Sequence, residues 1–379
     1  MSERSITRVL HRFLRSGAVG MSSLQCDPMD FDLSDDQVAL QDAARSLLDD
    51  RCDISRVRAA MEGDGFDRDL WGAMTEQGWP GILAGSTVGG LGLGVVEAAV
   101  LLEQTGGHLT PVPFLQHLLA TAVLADTPSL PGLVEGSHLG TAARRAVTRN
   151  GDGTVSGRPE PVLYGHVADV LVVPTGEDGG AEELVVVDLA DIDRRAEPAM
   201  DLTRRLAWID LDHAPATTVG GPDEVARLLD LGALFHSAEL LGGAAAVLDL
   251  TVAYAREREQ FGRPIGSFQA VKHRCADMLV DVEGMRSAVY HAAWTLGADD
   301  PDAPMAAATS KVWCSEAGLR VAESALQVHG GIGFTWEADV HLYLKRAQLD
   351  GTAFGNAGHH RTRLAAMARV RLAEGRSLL

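Results

Sequence analysis

Residues 254–273 read YAREREQFGRPIGSFQAVKH, from Tyr254 to His273, and this stretch decides how the chain is read. Upstream of it Leu234, Ala238, Leu241, Ala245, Leu248, Val252 and Ala255 recur at alternating steps of four and three. That spacing keeps them on one face of a long helix. The helix runs into a charged turn, Arg256-Glu257-Arg258-Glu259, and breaks at Phe261-Gly262-Arg263-Pro264, where glycine and proline both disfavour helix. Ser267 is the expected N-cap of the next helix, whose stripe is Val271, Cys275, Met278, Val282, Met285 and Val289. Two arginines beside a chain reversal suit a diphosphate, because a guanidinium presents paired donors.

Further along, a third helix is expected over residues 303–328 and a fourth from near Asp339. Long helices with one apolar stripe each imply an antiparallel bundle. Between the third and fourth lies QVHGGIGFTWE, Gln327–Glu337, where a helix meets a glycine pair, Gly330 and Gly331. Without a Cβ, such a pair lets a ligand approach the backbone.

In the other direction the chain changes character. Residues 141–221 hold short β-branched runs, among them Thr154-Val155, Val170–Val173 and Leu184–Val187, with Asn150-Gly151-Asp152-Gly153 as a tight turn. Residues 29–140 look all-helical. Ser34-Asp35-Asp36-Gln37 fits a capping box, with helices over residues 67–77, 95–104 and 114–125. The glycine-dense segment 78–94 contains GGLGLG, which follows no strand and lacks the dinucleotide spacing, so it reads as a loop. The expected organisation is mainly α with a small β domain: an extension at 1–28, a helical domain at 29–140, a β domain at 141–221 and a helical bundle at 222–379.

Composition limits the partners. The 33 basic and 52 acidic residues leave a net charge of −19, which repels phosphate backbones and anionic lipid, so neither nucleic acid nor membrane is an expected partner. No apolar run is expected to approach the roughly 18 residues that span a bilayer. The four cysteines, Cys26, Cys52, Cys275 and Cys314, form no CxxC pair, and this reads as a reduced, cytoplasmic protein. Residues 1–28 carry Arg4, Arg8, Arg12 and Arg15 and are read as a tail, with Met21 and Met29 as alternative starts and a targeting helix as the other reading. His359-His360 reads as a surface pair and no metal site is expected; Lys311 and Trp313 are assigned to the bundle and its interfaces.

The two motifs, in this order, closely resemble those of the acyl-CoA dehydrogenase family over roughly residues 29–379. The resemblance implies a helical domain, a β-barrel-like domain and a four-helix bundle, with FAD as cofactor. By that resemblance Arg258, of R-x-x-F-G, reaches the FAD diphosphate of a neighbouring subunit. Gln260, Phe261, Phe268 and Gln269 line the same cofactor, and Gln327, Gly330 and Gly331 touch its adenosine end. The implied chemistry is α,β-dehydrogenation of an acyl-CoA thioester, with electrons passed to an electron-transfer flavoprotein.

The pattern fails at the base. Counted without a gap from Gly331, the family's E-G-T triplet falls on Phe354-Gly355-Asn356. Phenylalanine cannot take a proton. Asp350-Gly351-Thr352, four residues earlier, resembles the triplet with Asp for Glu and makes Asp350 the remaining candidate. Relatives that carry the base on the first bundle helix place it at the position of Gly232 here, and Glu239 on that helix reads as structural or interfacial. The loop and strand with which the β domain usually covers the flavin have no match in residues 132–173. The resemblance is therefore to the base-lacking partner in actinobacterial heterotetramers of two unlike homologous subunits, assemblies that act on bulky thioesters including steroid side chains. The rival expectations are a self-sufficient homotetramer using Asp350, a flavin-free scaffold, and a related flavin oxidase or monooxygenase.

Overall fold

The computed structural model describes residues 32–124, 127–176 and 182–377; the extension at 1–28, with Cys26, lies outside them. Helix α1 (Asp35–Arg51) starts with the expected capping box. Gln37 N donates to Ser34 Oγ at 3.3 Å and Ser34 N donates to Gln37 Oε1 at 3.0 Å. Helices α2 (Ile54–Glu62), α3 (Arg68–Glu76), α4 (Val95–Gly107), α5 (Phe114–Thr121) and α6 (Leu130–Val134) follow. Asp67 caps α3 through its side chain rather than opening the helix. The glycine-dense loop folds as two single 3-10 turns, Trp79–Gly81 and Ser86–Val88.

The sheet comprises β1 (Gly140–Ala142), β2 (Thr148–Arg149), β3 (Thr154–Gly157), β4 (Val162–Leu163), β5 (Val170–Thr175), β6 (Glu183–Asp188), β7 (Asp193–Glu197) and β8 (Leu206–Gly220). Their order is β1-β5-β6-β8-β3-β2, with β4 and β7 also on β8. Among the described residues β1 and β2, the two ends of this path, do not pair, so the barrel-like domain expected from the resemblance is an open sheet. Both faces of β5 and β6 are buried. Val170, Val172, Leu184 and Val186 face the main core, while Leu171, Val173, Val185 and Val187 face a second core belonging to the sheet. The two-residue period of a strand produces this split, and it glues the sheet to the helices.

Helix α7 (Pro222–Glu257) has 36 residues and is about 54 Å long. It is long and apolar enough to cross a membrane, yet most of its apolar window is buried inside the protein, where it is the central helix of the bundle. The apolar expectation from sequence is corrected here: charged residues interrupt the helix without lowering its mean hydropathy enough to disqualify it. A hairpin of β9 (Glu259–Gln260) and β10 (Arg263–Pro264) leads to α8 (Gln269–Gly297), then α9 (Ala303–His329), α10 (Val340–Thr352) and α11 (Ala357–Ala373). Ser267 is not the N-cap of α8. It lies in a short 3-10 turn, its hydroxyl is unbonded, and Phe268 occupies the cap position.

α4 crosses α7 at backbone contact. A Cβ on Gly106 would stand 2.2 Å from Glu239 O, and one on Gly242 would stand 1.8 Å from Glu103 O. Only glycine allows that approach. The expected fourth bundle helix is two helices. Phe354 (φ 52°) and Gly355 (φ 97°) take left-handed conformations, and Asn356 restarts the chain by capping α11. This break is where the family's base triplet would lie.

Candidate functional site

The first cluster is an exposed edge. Phe261 (φ 54°) and Gly262 (φ 77°) form the two-residue turn of the β9–β10 hairpin. Positive φ at both central positions is what a tight hairpin with right-handed strand twist needs. It strains a phenylalanine, and the Phe261 side chain is 92% exposed. A strained, solvent-facing aromatic makes sense where something else covers it. Phe268 meets Phe261 edge-on with ring centres 6.1 Å apart, and the Arg263 guanidinium lies 4.2 Å over Phe268. Arg258 is the C-cap of α7 and is exposed, as are Gln260 and Gln269.

Tyr254 stacks on His329 at 4.3 Å and ties the end of α7 to the end of α9. The Arg258 turn and the Gly330-Gly331 pair are thereby brought to one edge. Gln327 is exposed, and a Cβ on either glycine would meet nothing within 4 Å. These glycines are thus not demanded by packing inside the chain. The edge offers an arginine, aromatic faces and open backbone, which fits the dinucleotide part of FAD. Arg258, Gln260, Phe261, Phe268 and Gln269 sit at the connection of α7 to α8, and Gln327, Gly330 and Gly331 at the end of α9.

The second cluster is interior, and it departs from the pattern. Phe354 is buried, and its ring lies over Gly232: a Cβ there would stand 2.0 Å from Phe354 Cδ1. The two positions to which the resemblance assigns a base are therefore in contact, and together they hold one aromatic ring and one hydrogen atom. The His236 ring lies 5.6 Å from that of Phe354.

Asp350 is fully buried on α10. Arg204 Nη2 holds both its oxygens, at 2.9 and 2.8 Å, and His236 Nδ1 lies 2.9 Å from Oδ1. Lys311 Nζ donates to the Asp350 carbonyl. Burial alone would raise the carboxyl's pKa, but the Arg204 charge and the His236 hydrogen bond outweigh it and hold the group well below the usual carboxylate range. A general base needs a reachable lone pair and a pKa near the working pH. Asp350 has neither, so the geometry makes it an internal counter-ion.

Glu239 likewise serves structure. Arg204 Nη1 lies 2.9 Å from its Oε2 as an ion pair, and burial raises the Glu239 pKa. Burial also lowers His236 to about 4 and Lys311 to about 8. Below this layer Arg346 binds Asp201 at 3.0 Å and donates to Thr203. Among the described residues His236, Glu239 and Asp350 bring ligand-type atoms within 4.8 Å of one another. Arg204 bridges their two carboxylates, so a guanidinium already fills the place of a cation.

Arg204 and His236 were not singled out by sequence reasoning. His236 and Glu239, three residues apart on an apolar helix, were a usable signal of a buried polar pair. Arg204 lies in the irregular segment between β7 and β8 and offered none. His360 is corrected too: it is buried, with Nε2 3.0 Å from Phe354 O, while its neighbour His359 is exposed. Lys311 is internal to the bundle and Trp313 is partly exposed on it.

Comparison with known proteins agrees with this geometry. The chain matches "Acyl-CoA dehydrogenase, N-terminal domain" over residues 34–127 and "Acyl-CoA dehydrogenase, C-terminal domain" over residues 220–368. It is 37% identical to acyl-CoA dehydrogenase IpdE2 of Mycolicibacterium smegmatis, over 83% of this chain and 93% of that one. Its fold is similar to the ChsE4-ChsE5 complex from Mycobacterium tuberculosis (TM-score 0.82, 32% identity, 91% and 99% of the two chains). It is also similar to a single-substitution variant of the Tcur3481-Tcur3483 steroid ACAD (TM-score 0.82, 30% identity, 89% and 98%). Helical elements, open sheet, bundle and rim motifs point the same way as these matches, and the chain belongs to the acyl-CoA dehydrogenase family.

Proposed function

We propose that this chain is the base-lacking subunit of a heteromeric acyl-CoA dehydrogenase, and that it completes an FAD site held mainly by a homologous partner. The observation that carries this reading is the Phe354 ring packed on Gly232, which leaves neither family base position a carboxylate. The intact rim supports the other half. Arg258 would pair with the diphosphate, Gly330 and Gly331 would admit the adenosine end to the backbone, and Phe261 and Phe268 would cover the cofactor from this side.

When bound, FAD would supply the acceptor for a hydride from the β-carbon of an acyl thioester, and the carboxylate for the α-proton would have to come from the partner subunit. This chain's work is positional: its rim fixes the dinucleotide and its interior stays dry. An electron-transfer flavoprotein is the proposed acceptor. A bulky acyl-CoA, such as one bearing a steroid-derived group, is the proposed substrate class, supported by the similarity to the Tcur3481-Tcur3483 steroid ACAD. A reducing, cytoplasmic location is proposed with it, in keeping with the free thiols of Cys52, Cys275 and Cys314.

The test is Arg258→Ala in the co-expressed assembly. Flavin content per assembled complex is expected to fall at least several-fold, with FAD but not riboflavin dependence of reloading, because the diphosphate is the group that loses its partner. Unchanged flavin content would refute cofactor donation and favour a flavin-free scaffold.

A further inference from the structure

The R-x-x-F-G pattern accounts for Arg258 and stops at Gly262, yet the next residue is a second arginine at the same turn. Strand β9 pairs with β10 in the register Gln260↔Arg263 and Glu259↔Pro264. Ile265 N donates to Arg258 O at 2.7 Å and carries that register one pair further. Side chains alternate along a strand, so Arg258, Gln260, Arg263 and Ile265 share one face of the hairpin, and Glu259 and Pro264 the other. Arg258 and Arg263 are diagonal neighbours on their face, about 7–8 Å apart and within common reach of one small ligand. The hairpin is also pinned in place. A Cβ on Gly266 would stand 2.9 Å from Ala255 O, so the chain returns against the end of α7.

The charges on this face are open. Elsewhere on the surface the exposed Arg68, Arg320 and Arg361 each grip a carboxylate at 2.6–2.7 Å. Among the described residues Arg258 and Arg263 hold none, although Glu257 and Glu259 adjoin Arg258 in sequence. Two like charges at this spacing repel unless an anion lies between them. Arg263 is fixed by other means: its guanidinium lies 4.2 Å over half-buried Phe268, whose ring meets that of Phe261 edge-on. Stacking uses the flat face of the guanidinium and leaves its in-plane N–H donors unspent. Side-chain freedom that ligand binding would otherwise have to remove is already lost.

We infer that Arg263 is a second phosphate-binding residue of this rim: Phe268 holds its guanidinium beside Arg258, and the FAD diphosphate takes one arginine of this chain for each of its two phosphoryl groups. The inference rests on the reading of this chain as the subunit that completes an FAD site, and it adds a residue that lies outside the pattern. Negative charge on the ligand then meets two positive charges on the rim, which accounts for both arginines being left unpaired within the chain.

Reloading of the flavin-stripped assembly, followed by flavin fluorescence in competition with ADP or with adenosine, tests this in Arg263→Met and Arg263→Lys. Methionine can still cover the Phe268 ring but brings no charge and no N–H donor. Loss of the charge-assisted contact should weaken FAD and ADP by about 10- to 100-fold. Adenosine, which has no phosphate, should compete as it does with wild type. Arg263→Lys, with the charge but not the fork, should lie between. Unchanged FAD and ADP affinity in Arg263→Met would overturn the inference. So would an equal loss for ADP and adenosine, which would make Arg263 a support for Phe268 alone.

Should either variant fail to assemble, phenylglyoxal footprinting of the wild-type complex, read by mass spectrometry, decides. Arg263 should be modified about 10-fold more slowly with FAD bound than after stripping, with Arg68 unchanged as the standard. Equal rates with and without FAD would overturn the assignment. The Arg258→Ala measurement is separate. If flavin content ignores Arg258, the cofactor-completing reading falls and this assignment with it. If flavin content follows Arg258 while FAD affinity ignores Arg263, only the second phosphate-binding residue is lost.

Discussion

Replacing Gly232 by alanine puts one methyl group into the ring of Phe354, and the consequences can be worked out. The new Cβ would lie 2.0 Å from Cδ1 and 2.5 Å from both Cε1 and Cγ, far inside contact distance. Phe354 cannot simply swing aside. It is buried, its backbone is fixed in the left-handed break between α10 and α11, and its carbonyl accepts from His360. Overpacking of this kind costs about 1–3 kcal/mol. Alanine for glycine inside a helix returns about 1 kcal/mol. Gly232→Ala alone should therefore destabilise the protein by about 0–2 kcal/mol. Phe354→Ala alone should cost about 3–5 kcal/mol through the void it leaves. In the Phe354→Ala background the sign reverses: the methyl enters empty space, the helix gains, and Gly232→Ala should stabilise by about 1 kcal/mol. The coupling is about 1–3 kcal/mol, above the additivity error of a double-mutant cycle. Urea unfolding of the four proteins, each with its partner at fixed concentration, measures it. Equal effects of Gly232→Ala in both backgrounds would refute the contact between the two vacated base positions.

Asp350→Asn should lower stability by about 3–5 kcal/mol, because it leaves Arg204 buried with half its counter-charge. Turnover per folded complex at low temperature should be unchanged, and its abolition would restore Asp350 as the base. Acid should weaken the fold early. Burial pushes His117 and His236 from 6.5 down to about 4, so the unfolded chain binds these protons first. Their stabilisation is complete above about pH 6.5 and is lost as pH falls towards 4, at about 2–3 kcal/mol per pH unit for the two together. Stability curves at pH 7, 6 and 5 check this, and a flat profile would contradict it.

What could be read from the sequence followed from repetition. The four-three stripe on α7 is buried or half-buried at all seven named positions, because periodicity survives whatever lies opposite it. The capping box at Ser34 and the β-branched cores of β3, β5 and β6 were local for the same reason. The rim residues were named through resemblance alone, because nothing in their own spacing says which ligand they meet. What escaped depended on long-range geometry. Closure of the sheet turns on whether β1 and β2 meet, and no local pattern encodes that. The split of the last helix turns on left-handed Phe354, a conformation that residue type argues against. The Arg204–Asp350 pair escaped because the two residues are 146 positions apart and Arg204 belongs to no motif. His360 escaped because adjacent histidines on a helix face different ways, one to solvent and one to the carbonyl of Phe354.

The most direct measurement is flavin occupancy of this chain purified alone and then with a homologous, base-bearing acyl-CoA dehydrogenase subunit from the same source. The expected result is a lone chain with little or no FAD, which joins a complex carrying one FAD per pair of unlike subunits. Stoichiometric FAD in the lone chain, with turnover of an acyl-CoA, would contradict the base-lacking, cofactor-completing role.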